Sequence, residues 1–503
     1  VYLLSLTQPQ NKYSHSQNKP FKKFAIKQYV LVHLPRKTRT QVALLKSVSG
    51  TRGTIGGKAG DNLTPIDIVS QTAAFGYRLV QRSSEPKVVI GRDARISGDM
   101  VSGLVTHTLR ALGIHVIDLG LSTTPTVAMA VPNEQAQGGI IITASHNPRQ
   151  WNALKFLNEL GEFISPEEGR EVVKLADSGD IEFATVDKLG SYTQNDTYIA
   201  WHINQILATP LIDRDLVASK QFTVVVDPVN STGALAIPPL LEALGCQVIL
   251  INGEINGRFA HNPEPLAENL DELSKAVLSH RAQLGIAVDP DVDRLVLVCE
   301  DGEMFGEENT LVAVADYVLK HKPGPTVSNL SSTRGLRDIT EKHGQVYHAS
   351  AVGEAHVVAM MKAHGATIGG EGNGGIIYPD LHYGRDAMIG TALFLTLLAK
   401  SGKSVSFLRS SLPRYVMSKN KIELTPDMDF SMIFDRLKEK YKKQPINTID
   451  GLKIEFDSDW IHLRPSNTEP IIRIYTESTS EVMASKLASK IKEDIGEILM
   501  DRS

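Results

Sequence analysis

Four short polar stretches hold residue types whose spacing could do chemistry. The first is Thr143-Ala144-Ser145-His146-Asn147-Pro148, preceded by Gly138, Gly139 and the β-branched run Ile140 to Ile142. That run reads as a short buried strand ending where the polar cluster begins, which puts Ser145 in a loop at a strand end. Ligands gather at such ends in open α/β sheets, and a hydroxyl there with His146, Asn147 and Lys155 near in sequence has acid–base and cationic company. By itself the stretch fits an ordinary turn equally well, because Ser, Asn and Pro are turn residues.

The second stretch is Asp289-Pro290-Asp291-Val292-Asp293-Arg294, entered from the strand-like Gly285 to Val288 and left by Leu295 to Val298. Three carboxylates at alternate positions of a tight turn can converge on one point, which suits a hard divalent cation. The proline within the loop and the lack of a glycine at its sixth position argue against an EF-hand. The third, Gly369-Gly370-Glu371-Gly372-Asn373-Gly374-Gly375, leaves Glu371 and Asn373 as its only side chains. The fourth, Arg464-Pro465-Ser466-Asn467-Thr468-Glu469-Pro470, offers a guanidinium, hydroxyls and backbone N–H groups, as an anion site would.

In this order the four motifs resemble those of the α-D-phosphohexomutases, the phosphoglucomutase and phosphomannomutase superfamily, over about residues 43 to 503. The resemblance implies an intramolecular phosphotransferase whose Ser145 becomes phosphorylated and passes its phosphoryl group to a sugar phosphate. The resulting 1,6-bisphosphate turns over in the cleft and returns its other phosphate. A phosphoserine carries roughly −1.5 to −2 charge at neutral pH and calls for a cation, so Ser145, Asp289, Asp291 and Asp293 are expected to share one Mg²⁺. A hexose 1,6-bisphosphate is the expected activator. By the same likeness Arg52, in Ser49-Gly50-Thr51-Arg52-Gly53, lies near the serine, and His146 and Asn147 position its loop. Lys155 and Arg294 stabilise charge or assist proton movement. Sugar hydroxyls meet Glu371 and Asn373, and the phosphate not being transferred rests on Arg464, Ser466, Asn467 and Thr468.

The third motif departs from many family members, which have a Ser at the place of Asn373 and a His at that of Gly375. A histidine often given acid–base work is therefore missing, and His382 or Arg385 stand near enough in sequence to replace it, or belong to a structural loop. The Glu-Gly-Asn-Gly-Gly version looks like the phosphoglucosamine mutase branch, and an amide at 373 is a sensible partner for a 2-amino or 2-acetamido group. The expected reaction is thus interconversion of glucosamine 6-phosphate and glucosamine 1-phosphate, with phosphomannomutase or phosphoglucomutase activity as the alternative. A non-catalytic sugar-phosphate binder would have lost the serine or the aspartates, and all four are present. A metal phosphatase would share the first half-reaction and differ in forming no isomer.

Positioning these loops takes several cores. At roughly 150 residues per domain, 503 residues make three to four domains. With 42% hydrophobic and 22% charged residues, and no apolar run of membrane length, the composition is that of a soluble globular protein, and the family resemblance implies a phosphorylated hexose or hexosamine as its partner. Cys246 and Cys299 stand in apolar, strand-like contexts as expected buried thiols, and a reducing cytoplasm follows. Residues 1 to 42 hold eight Lys or Arg and no acid, so the rest of the chain is more acidic than the whole at −4. They are expected to be disordered, either as a non-native extension upstream of the natural start or as a transit peptide. Few aromatics and an acidic body give nucleic acid little support as a partner, and no membrane partner is expected.

Strands alternating with helices predict a mostly parallel sheet in each α/β unit. Val88-Val89-Ile90 leads to Gly91-Arg92-Asp93-Ala94-Arg95, where an internal ion pair with Asp93 is the reading preferred for Arg95, and a helix from about Asp99 to Leu112 follows. Phe222 to Val226 and Thr326 to Asn329 open two further units of the same kind, and the three together suggest an internal structural repeat. The last unit, with strands near Ile422, Gly451, Trp460 and Ile471 and two helices, reads as a small α+β domain. The fold class is therefore α/β, three tandem mixed-sheet domains (43–195, 196–303, 304–414) with a C-terminal α+β domain (415–503). The family likeness implies a heart shape around a central cleft, as a monomer or homodimer.

Overall fold

Three of the four sheets repeat one four-strand order. In the computed structural model, which describes residues 44–47, 50–423, 430–465 and 471–500, the first such unit comprises Lys87–Arg92, His115–Leu121, Gly138–Ile142 and Trp151–Leu157. In space they run fourth, third, first, second, with the fourth antiparallel to the third and the others parallel. Thr223–Asp227, Gln247–Leu250, Leu284–Val288 and Leu295–Cys299 repeat this order. So do Thr326–Asn329, Tyr347–Ser350, Ile368–Glu371 and Gly375–Ile377. The suspected repeat is thus one of topology. In every copy the hairpin from third to fourth strand carries one of the polar motifs.

These antiparallel fourth strands, beside three parallel ones, make the three units mixed-sheet α/β domains, as expected from the sequence. The first sheet also gains Gly50–Thr54 and Leu45–Ser47 at one edge and Tyr192–Gln194 at the other. Arg52 therefore sits on a strand. Its partner Trp151–Leu157 lies far away in the chain, and the local Gly and Ser residues carry no sign of that pairing.

Helices close each sheet. Pro65–Val80 starts at Thr64, which forms a capping box with Asp67, with proline at the first turn where its missing N–H costs nothing. With Gly98–Ala111 it covers one face of the first sheet through Ile68, Phe75, Val105 and Leu109, while Thr124–Asn133 covers the other through Val127 and Val131. Helix Ala387–Ser401 is buried along most of its length and joins the second and third units into one continuous core. The last sheet runs Val416–Glu423, Ile471–Ser478, Trp460–Pro465, Leu452–Glu455, Ile446–Asn447 and is antiparallel throughout. Its helices Phe430–Lys440 and Glu481–Met500 share a separate core with it, as expected of an α+β unit. Cys246 and Cys299 are buried and unbridged. Among the described residues no helix is long and apolar enough to cross a membrane. The expectation for residues 1–42, and the motif residues Ser466, Asn467 and Thr468, lie outside the described residues.

Candidate active site

The serine loop is held by a buried arginine. Arg95 pairs with Asp93 at 3.0 Å, as read from the sequence, and the same guanidinium donates to the carbonyl oxygens of Ser145, Asn147, Pro148 and Trp151. Asp93 also accepts from Thr143 Oγ1 at 2.7 Å, and Thr143 Oγ1 accepts from the Ser145 N–H at 2.9 Å. So fixed, Ser145 adopts a left-handed φ of 49°, and Val292 in the aspartate loop a φ of 65°. Such conformations cost about 1–3 kcal/mol each outside glycine and persist where surrounding contacts impose them.

The two loops meet directly. Ser145 Oγ donates to Asp289 Oδ2 at 2.7 Å. The carboxylates of Asp289, Asp291 and Asp293 are buried and their ligand oxygens lie within 4.8 Å of one another. Asp291 Oδ1 and Asp293 Oδ1 have no hydrogen-bond partner. Buried orphaned anionic oxygens are costly, and an all-oxygen donor set of this kind fits a hard divalent cation. Burial, with Asp293 and Asp291 beside it, pushes the Asp289 carboxyl well above its ordinary range. Burial works against the Asp291 anion as well, but the Lys155 ammonium at 2.7 Å and Thr124 Oγ1 at 2.6 Å hold that carboxyl below its ordinary range. Lys155 thus comes from the fourth strand of the first unit to the loop of the second.

His146 Nδ1 lies 3.4 Å from Ser145 Oγ. Burial, then Arg294, Arg52 and Arg385, push its pKa down to about 2, so the ring is a neutral partner in the site. Arg52 Nη1 donates to Asn147 Oδ1 at 2.8 Å. Arg294 stands 3.7–3.9 Å from Glu264, Asp289 and Asp293, and its Nε, though near two of these carboxylates, makes no hydrogen bond, which leaves a buried cationic donor for an anionic ligand.

Of the two candidates for the missing histidine, only Arg385 enters the site. His382 turns to Asp386 at 3.3 Å, which His202 also contacts at 3.0 Å. Arg385 reaches Asp293 at 2.6 Å, Glu354 at 2.8 Å and Glu371 at 3.0 Å. Burial opposes its charge, but these three carboxylates outweigh it and hold the pKa well above its ordinary value. Gly375 makes this possible, since a Cβ there would stand 2.3 Å from Arg385 Cδ. The Leu295 N–H bonds the Gly374 carbonyl at 3.0 Å, tying the glycine loop to the aspartate loop.

A cavity of about 260 Å³ opens beside these groups, lined by His146, Arg294, Glu371, Asn373 and Arg464 among the expected residues. Arg464 pairs with Asp450 at 2.8 Å and lies directly across the strands from Arg473, which also faces the cavity. Like charges directly opposed on neighbouring strands are unfavourable unless anions sit beside them; Asp450 is one such anion for Arg464, and an anionic ligand in the cavity would be another. Arg473, Lys419, Glu308 and Glu354 were missed from the sequence. Lys419, Glu308 and Glu354 belong to a strand and helix starts away from any motif, while Arg473 lies just past the fourth motif on strand Ile471–Ser478.

Residues 44–182, 200–302, 307–415 and 424–494 match, in turn, the families described as phosphoglucomutase/phosphomannomutase alpha/beta/alpha domains I, II and III and the C-terminal domain. A probable phosphoglucosamine mutase of Methanopyrus kandleri is 35% identical, covering 87% of this chain and 95% of its own. A phosphoglucomutase/phosphomannomutase of Thermococcus kodakarensis is 37% identical, covering 86% and 95%. The crystal structure of a phosphoglucomutase/phosphomannomutase family protein from Burkholderia thailandensis superposes with a TM-score of 0.78 at 25% identity, covering 91% of this chain and 97% of its own. The chain belongs to the phosphoglucomutase/phosphomannomutase family. Within that class it is an isomerase, a phosphohexomutase.

Proposed function

We propose that the chain is a phosphoglucosamine mutase, interconverting glucosamine 6-phosphate and glucosamine 1-phosphate through a phosphorylated Ser145 and a 1,6-bisphosphate. The observation that carries the mechanism is Ser145 Oγ at 2.7 Å from one of three clustered carboxylates with orphaned oxygens. Asp289, Asp291 and Asp293, with the serine, would hold one Mg²⁺, which when bound neutralises phosphate charge and polarises the transferring group. Ser145 carries the phosphoryl group and yields it to the substrate hydroxyl, regaining it from the other end of the bisphosphate. Lys155 and Arg294 face the transferring oxygens with positive charge. Neutral His146 and Asn147 keep the loop in register, with Arg52 anchoring the amide. Arg464 and Arg473, which line the cavity, receive the second phosphate together with Ser466, Asn467 and Thr468 of the same motif, and Glu371 and Asn373 take the sugar hydroxyls.

The amino-sugar assignment rests on Asn373 and on relatives such as that of Methanopyrus kandleri. The Thermococcus relative favours the second reading, glucose or mannose phosphates. A coupled assay on the chain with Mg²⁺ and catalytic hexose 1,6-bisphosphate decides between them. Faster isomerisation of glucosamine 6-phosphate than of glucose or mannose 1-phosphate supports the first, the reverse order supports the second, and Ser145→Ala abolishes both. Failure to isomerise any of them would sink the assignment. The sheets and family matches also support domain boundaries at 43–195, 196–303, 304–414 and 415–503.

A further inference from the structure

Three carboxylates line the cavity, and two are already matched. Glu371 pairs with Arg385 and accepts from Asn329 Nδ2 at 2.8 Å and the Gly353 N–H at 3.1 Å, while Glu264 stands 3.7 Å from Arg294. Glu308, at the start of helix Glu307–His321, accepts from the Thr333 N–H at 2.9 Å and makes no ion pair among the described residues. The cation nearest in kind, Lys419, gives its ammonium to Glu307 at 2.6 Å. Burial pushes the Glu308 pKa up to about 8, against the opposing field of Lys419. An acid held in a cleft without a counter-ion is mostly protonated at neutral pH, and a cationic ligand beside it supplies the opposite charge that ionises it.

Its place selects the ligand. A Cβ at Gly372 would lie 1.8 Å from Glu308 Oε2, so the carboxylate rests on the backbone between Glu371 and Asn373, the two side chains of the sugar loop. Glycine at 372 is what lets it approach. Asn373 itself turns its Oδ1 to the Gly375 N–H at 3.3 Å, which engages one of the two lone pairs of that oxygen. An ammonium brings three donors, and the one lone pair left on this amide can accept only one of them, so further acceptors are needed.

We infer that Glu308 is the residue that selects a 2-amino sugar, its carboxylate accepting the ammonium of the substrate beside the Glu371–Asn373 loop. This rests on the sugar-phosphate reading of the cavity and adds the group that reads the 2-substituent. A 2-hydroxyl in the same place gives one neutral hydrogen bond, and a 2-acetamido group gives bulk and no charge. A charge-assisted bond to a partly buried acid accounts for a selectivity of about ten- to a hundredfold.

The test is kcat/KM for glucosamine 6-phosphate, N-acetylglucosamine 6-phosphate and glucose 6-phosphate, in the wild type and in Glu308→Gln. The expected result is a wild-type preference for glucosamine 6-phosphate over glucose 6-phosphate that falls about tenfold or more in Glu308→Gln, with no matching fall in the N-acetyl to glucose ratio. If the wild type prefers the amino sugar and Glu308→Gln keeps the same ratio, Glu308 is not the selector and the amino-sugar assignment stands without it. If the wild type shows no such preference, the assignment falls and this inference with it. Should Glu308→Gln not fold, Glu308→Asp, which withdraws the carboxylate by one methylene, gives the same readout: a lowered ratio supports the inference and an unchanged one overturns it.

Discussion

Arg385 binds a carboxylate from the aspartate loop, one from the glycine loop and one from helix Glu354–His364, so a single guanidinium sets the spacing between metal-type and sugar-type ligands. Lysine has one point charge and no fork, and it cannot serve three acids at once. We expect Arg385→Lys to lower kcat by about ten- to a hundredfold with a smaller change in KM, as measured by steady-state kinetics, since the loss is one of preorganisation. A kcat within twofold of wild type would remove Arg385 from the positioning machinery. Gly375→Ala drives a methyl into Arg385 Cδ, and overpacking of this kind costs about 1–3 kcal/mol, readable as a lowered urea midpoint together with a loss of activity. The three aspartates bear on stability too. Their burial and mutual repulsion, which together raise the Asp289 pKa, are relieved by a bound dication, so added Mg²⁺ should raise the melting temperature. That rise should vanish in Asp289→Asn, and a rise of equal size in the variant would place the ion elsewhere.

At the scale of elements, strand Leu452–Glu455 joins the last sheet to the third unit through Lys453, whose Nζ donates to the Leu330 carbonyl at 2.8 Å over the Trp460 ring. Burial brings its pKa down to about 8, although Glu455 and Glu477 oppose the shift. An unfolded lysine titrates near 10.4. Between about pH 8 and that value the unfolded chain holds a proton the folded one has released, so stability rises with pH across the window. Urea unfolding followed at pH 7.5 and 9.5 should show the midpoint rising in the wild type and rising less in Lys453→Met. The loops that carry chemistry were legible in the sequence because each packs its functional residues into six or seven consecutive positions bounded by β-branched strands. What joins them was not. The Gly50–Thr54 pairing and the placement of Glu308 against Gly372 bring together residues separated by tens of positions or more, and no local period encodes such contacts. Arg95 was legible as an ion pair, while its grip on four loop carbonyls was not, because backbone oxygens leave no mark in a sequence.

In the whole molecule the cores divide unevenly. Helix Ala387–Ser401 fuses the second and third units, whereas the last sheet closes its own core and meets the third unit through polar contacts: Arg337 with Glu455 at 2.7 Å, Lys419 with Glu307 at 2.6 Å, Ser331 with His462 at 2.9 Å. Such an interface carries little apolar burial, so the last unit should unfold first. Of the three tryptophans, Trp460 is the one in that unit. With Trp151 and Trp201 replaced by Phe, its fluorescence should change at a lower urea concentration than the far-ultraviolet circular dichroism of the chain, and coincident transitions would show one cooperative body. The repeated strand order has a consequence for descent as well as for folding. Because the serine, aspartate and glycine loops occupy one and the same turn in three copies of a unit, they are natural candidates for one ancestral turn that was copied and then given three separate trades. Each trade could be rewritten by exchanging half a dozen residues without disturbing the sheet beneath, which makes these turns the places to graft from one relative to another when a new sugar is wanted.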